Sequence, residues 1–132
     1  MKSRQKSRGF TIIELMVVIS IIMIIVSIAV PIYTQSILRA KEAVLRQDLF
    51  AMRSAIDQYT MDKSKAPQAL HDLMQEGYLR EIPKDPFTDS RDTWQVAQED
   101  VLLSIDQNQP GITDVHSGSN RTASDGTAYN TW

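Results

Sequence analysis

Apolar residues run almost unbroken from Phe10 to Tyr33 and then thin out into a periodic stripe. Between Leu15 and Val30 only Ser20 and Ser27 interrupt Met, Val, Ile and Ala. This run can cross a bilayer, which needs about 20 residues. Beyond it, Leu38, Leu45, Leu49, Met52, Ile56 and Tyr59 recur at spacings of seven, four, three, four and three, the signature of one apolar side of a helix. Arg39, Lys41, Glu42, Arg46, Asp48, Arg53 and Asp57 are placed mainly on its other faces. The pattern predicts helix from Phe10 to about Asp62, roughly 80 Å at 1.5 Å per residue. Its first half is greasy all round and its second is amphipathic. Pro31 lacks an N–H and crowds the carbonyl of Ser27, so a kink or opened turn is expected there. It reads either as a hinge or as a tolerated proline with no mechanical role.

Lys63 to Pro67 ends the long helix, because proline steers the residue before it away from helical angles. A short helix is predicted from Gln68 to Glu76, capped by Gly77. Tyr78 to Phe87 reads as a proline-braced loop. Strands are predicted at Thr93 to Gln98, Asp100 to Ile105 and Ile112 to His116, with a turn over Gln107 to Gly111. Such short strands should pair antiparallel and close by packing on the long helix, an α+β arrangement. The tail from Ser117 to Thr131 is small and polar, a composition of mobile segments. Trp132 pulls the other way, since a terminal indole serves best as an anchor in a core.

Charge adds a direction. The net charge is −2, yet Lys2, Arg4, Lys6 and Arg8 crowd the start, so without those four of the fourteen cations ten remain against sixteen acids. Cations ahead of an apolar run hold the N-terminus in the cytoplasm and send the rest outward. With 132 residues there is room for one small domain beyond the membrane helix. No cysteine is present, so no disulfide staples that domain. No Walker loop, zinc spacing or nucleophile elbow appears, His71 has no second ligand near it, and an enzyme is not expected. The basic residues of the amphipathic helix are interleaved with acids, unlike a nucleic-acid-binding stripe.

Glu14 is the anomaly. An ionised side chain at a bilayer centre costs roughly 2.5 to 3.5 kcal/mol on insertion scales, so it should have a cationic partner. Lys and Arg are absent from Phe10 through Leu38. A cut after Gly9 would supply the charge as the freed amine of Phe10. That amine lies four residues from Glu14 in its own chain, and it can also reach the carboxylate of a neighbouring copy. The second geometry makes a polymer. The rival is a signal anchor that is never cut.

Gly9-Phe10-Thr11-Ile12-Ile13-Glu14-Leu15, behind a Lys/Arg leader and ahead of about 20 apolar residues, resembles the class III signal of type IV prepilins and type II secretion pseudopilins. Pro31 falls where that family commonly has its proline, while Met23 stands where many pilins have a mid-helix glycine. The resemblance implies a pilin-like lollipop: a leader at 1–9, a transmembrane and filament-core helix at 10–33, and a periplasmic domain at 34–132. It further implies cleavage between Gly9 and Phe10, N-methylation of Phe10, an assembly charge pair between Phe10 and Glu14, and a hinge at Pro31. Gly77-Tyr78-Leu79 and Pro83-Lys84-Asp85-Pro86-Phe87 resemble the major pseudopilins of the GspG type, and the missing cysteines lean the same way.

That branch implies a structural subunit of a periplasmic pseudopilus that drives protein export from the inner membrane. Its partners would be further copies of itself, minor pseudopilins, the prepilin peptidase and methyltransferase, and an assembly platform with its cytoplasmic ATPase. A type IV pilin of a surface pilus is the alternative. The same branch binds calcium in its C-terminal loop. The oxygens on offer here are Asp114, Ser117, Ser119, Asp125 and Thr127, and a hydrogen-bonded loop without metal is the other reading.

Overall fold

A computed structural model describes residues 9–99 and 110–132. Residues 1–8 of the expected leader, the expected strand from Asp100 to Ile105 and the turn residues Gln107 to Gln109 lie outside the described residues. Packing divides the chain into two units that meet between Ile37 and Leu38.

One helix of 52 residues, α1 (Ile12–Lys63), carries both periodicities anticipated from the sequence. Thr11 starts it: its hydroxyl accepts the Glu14 N–H at 3.2 Å, a side-chain cap on one of the unpaired donors of the first turn. The helix runs unbroken through Pro31. Hydroxyls on either side bond back to the preceding turn, Ser27 to the Ile24 carbonyl at 2.7 Å and Thr34 to the Pro31 carbonyl at 3.0 Å. This keeps polar groups satisfied within an apolar segment. Every residue from Gly9 to Ile37 is exposed.

After Leu38 the stripe is buried. Leu45, Leu49, Met52, Ala55, Ile56 and Tyr59 form one wall of a core completed by Leu73, Trp94, Ile112, Val115, Ala123 and Tyr129. Ser64, at φ 53°, turns the chain out of α1. The short helix α2 (Leu70–Gln75) has no side-chain cap at Ala69, but Asp72 accepts the N–H groups of Gln68 and Ala69, each at 2.9 Å. It ends in a Schellman motif. Tyr78 N–H reaches the Leu73 carbonyl at 2.8 Å and Gly77 N–H the Met74 carbonyl at 3.2 Å, with Gly77 at φ +81°.

Two antiparallel strands make the described sheet, β1 (Gln95–Glu99) and β2 (Gly111–His116). The strand expected at Thr93 to Gln98 therefore begins two residues later, and it pairs directly with the one expected at Ile112 to His116. Ala97 faces Asp114 and Gln98 faces Ile112, so Thr113 is an extra residue in β2. The bulge has a packing consequence. Ile112 and Val115, three apart, would point to opposite sides of a regular strand, yet both are buried in the same core. The tail, with its composition of a mobile segment, is instead folded: Ser117, Ser119, Ala123 and Tyr129 are buried, and a single 3-10 turn (Tyr129–Thr131) ends it.

Candidate functional site

At the N-terminal end of α1, Phe10 is 86% exposed and Gly9 has no atom near the place a side chain would occupy. Both are open to another protein. Glu14 lies in the first helical turn, where the partial positive charge of unpaired N–H groups favours a carboxylate. The Thr11-x-x-Glu14 spacing is that of a capping box, and its first half is formed. The charge-pair role of Glu14 does not use this cap, although Ser or Thr three residues before Glu is itself a sequence signal. Around it the chain is apolar, reaching a mean hydropathy of 3.0 in an 18-residue window with none of that window buried.

The second region is the C-terminal loop. Asp114 accepts Arg53 Nε at 2.6 Å and the Val115 N–H at 2.7 Å, and it lies 3.4 Å from His116 Nε2. Burial pushes this carboxyl up, but those hydrogen bonds and the Arg53 charge outweigh it and hold it below the ordinary value. Arg53 also donates to the carbonyls of Val115 and Trp132. Asp125 turns to Thr127, accepting its N–H at 2.9 Å and its hydroxyl at 2.6 Å, with Arg46 at 3.9 Å. Ser117 donates to Asp85 at 2.6 Å and accepts the Ser119 N–H; Ser119 Oγ accepts from Arg121.

Each of these expected oxygens has a partner within the protein. Asp114 and Asp125 are each held by an arginine of α1, Arg53 and Arg46. A calcium shell has ligands at about 2.3 to 2.6 Å from the ion. No group of three or more His, Cys, Asp or Glu side chains placed to share a metal ion occurs among the described residues.

Two other carboxylates hold the loop instead. Glu42 is 5% exposed and accepts the Ser124 N–H at 2.7 Å, the Ser124 hydroxyl at 2.6 Å and the Tyr129 hydroxyl at 2.9 Å. Burial pushes its carboxyl up, yet the Ser124 and Tyr129 hydrogen bonds, helped by Arg46, bring it below the ordinary value. Burial and the same bond push the Tyr129 hydroxyl to about 12. Asp85 is fully buried, taking Ser117 on one oxygen and the N–H groups of Phe87 and Thr88 on the other. The sequence pattern puts Glu42 among the polar positions of α1 and Asp85 in a proline-braced loop, and neither is marked there as a buried anchor. The signal was present: the one gap of seven in the apolar stripe, between Leu38 and Leu45, is filled by Glu42 at the helical spacing of four.

The prokaryotic N-terminal methylation motif matches residues 4–30. Among curated proteins, the chain is 33% identical to type II secretion system core protein G of Klebsiella michiganensis over an alignment of 130 residues, covering 84% of this chain and 92% of that one. It is 32% identical to the Escherichia coli protein of that name, over 66% of this chain and 71% of the relative. The Pseudomonas aeruginosa protein is 34% identical over 66% and 72%. No solved structure matches the chain.

Proposed function

The chain belongs to the family of type II secretion system core protein G, a pseudopilin rather than a surface pilin, and we propose from this that it polymerises into a periplasmic filament after its leader is removed between Gly9 and Phe10. The observation that carries the reading is an exposed apolar stretch from Phe10 to Tyr33, helical from Ile12, with one carboxylate near its start. Exposed apolar surface on this scale must be covered by lipid or by other proteins. In the inner membrane, lipid covers it. In a filament, the same helices from neighbouring copies do, so apolar contact is roughly conserved when a subunit leaves the bilayer.

The charge then decides between the two states. Methylated Phe10 keeps a cationic amine, and Glu14 of an adjacent copy offers it a partner that lipid does not. Peptidase and methyltransferase prepare that amine; an assembly platform driven by a cytoplasmic ATPase extracts the subunit, and minor pseudopilins share the filament. The leader cations keep the precursor's N-terminus in the cytoplasm, which places the domain after Leu38 in the periplasm. The role is mechanical, and no step in it calls for catalysis by this chain.

Two measurements test this. The mass of the mature protein should be that of a chain starting at a methylated Phe10. The Glu14→Leu variant should insert in the inner membrane at native levels but yield no ordered filament. Recovery of working protein with Met1 to Gly9 still attached, or normal filaments from Glu14→Leu, would refute the reading.

A further inference from the structure

The C-terminal loop has the polarity of an anion site. A calcium loop turns oxygens inward onto a cation, using six to eight of them. Here the loop turns donors inward onto a carboxylate that α1 supplies: both Glu42 oxygens are used, by Ser124 through backbone and side chain and by Tyr129, more than 80 positions along the chain. The carboxylates that a metal would need are already bound elsewhere, Asp114 to Arg53 and Asp125 to Thr127. Releasing them would strand the Arg53 guanidinium, which also gathers the Val115 and Trp132 carbonyls. The loop closes on itself around this point, through Ala123 N–H to the Thr127 carbonyl at 2.7 Å and the Thr122–Ala128 bridge.

We propose that Glu42 is the lock of the C-terminal loop, doing with a fixed negative charge what a bound cation would otherwise do, so that folding of this pseudopilin is independent of calcium. Because Glu42 is buried and makes three charge-assisted bonds to one segment, its loss frees that segment rather than the whole domain. The calcium result does not depend on whether the chain assembles, so it is separable from the filament reading.

The test uses the full-length mature protein in detergent micelles, with calcium chloride or EDTA as the probe. Melting is followed by tryptophan fluorescence, and amide hydrogen exchange is followed over residues 117–132. At about 5 mM calcium, enough to saturate an extracellular site of millimolar class, the native Tm should match that in EDTA to within about one degree against the several degrees that saturating ligand produces. Glu42→Gln should lower Tm by roughly 4 to 8 °C and raise exchange in residues 117–132 severalfold while the α1 core stays protected. If Glu42→Gln does not fold, Ser124→Ala, which removes one donor, should still raise exchange in the loop. A calcium-dependent rise in native Tm would overturn the proposal. So would native loop protection in Glu42→Gln, or in Ser124→Ala where Glu42→Gln is unfolded.

Discussion

Glu42 and Asp114 are both held below their ordinary values, so each contributes stability that is complete above the unfolded carboxylate values of 4.5 and 3.8. That stability disappears as pH falls below those values and through the lower folded ones. Asp48 runs the other way: burial, and then the Asp85 carboxylate beside it, push it up. Its protonation therefore favours the fold at low pH and offsets part of the loss. The expected outcome is a native Tm that is flat from neutral pH down to about 5 and falls steeply below about 4.5. Glu42→Gln has no charge to lose at that position, so its Tm should fall less, and the gap between the two proteins should close in acid. A gap of constant width from pH 7 to 3 would mean that the Glu42 charge plays no part. Residues like this are hard to read from sequence, because a buried carboxylate and a solvated one are the same letter. Only its place in the apolar period distinguishes Glu42, and Asp85 has no period around it at all.

Elements were more legible than residues. The switch from continuous to periodic apolar spacing located α1 and its buried side, since a helix must bury one stripe and the chain has only one to bury. The exit past Lys63 and the cap at Gly77 followed from local backbone preferences. The sheet was less legible, because alternation along β2 is broken by Thr113 and no alternating pattern can announce a bulge. The approach of loop to strand was also hidden. A Cβ on Gly118 would collide with the Thr93 carbonyl oxygen, so only glycine fits where the chain leaves β2. Gly118→Ala must shift one segment against the other, and overpacking of this kind costs about 1 to 3 kcal/mol. Urea denaturation of the variant should show a lower midpoint with an unchanged slope. Leu45→Ala, at a side chain with no exposure, should cost about 2 to 5 kcal/mol by the same measurement. A native midpoint in either variant would contradict the packing described.

For the molecule as a whole, the two units face different demands. Among the described residues, those from Gly9 to Ile37 hold no core side chain, and their apolar surface needs lipid or other copies to cover it. Residues from Leu38 carry the entire buried cluster, from Leu45 to Tyr129, together with the Glu42, Arg53 and Asp85 bonds. The division predicts that the second unit is self-sufficient. A chain beginning at Thr34 would keep two helical turns ahead of Glu42, enough to hold that residue clear of a fraying end, and Thr34 suits the first position of a helix as a cap. Every exposed apolar side chain from Phe10 to Tyr33 would be gone, so little would drive association. This truncation should be soluble without detergent, sediment as a monomer, and melt within a few degrees of the full-length protein in micelles, because the bonds that melt are the same in both. It should form no filament, since the helices that meet in the core and the Phe10–Glu14 pair are missing. An unfolded or aggregated truncation would show that the first 33 residues help to build the domain. A truncation that still polymerised would move the assembly contacts away from the apolar helix and onto the surface of the second unit.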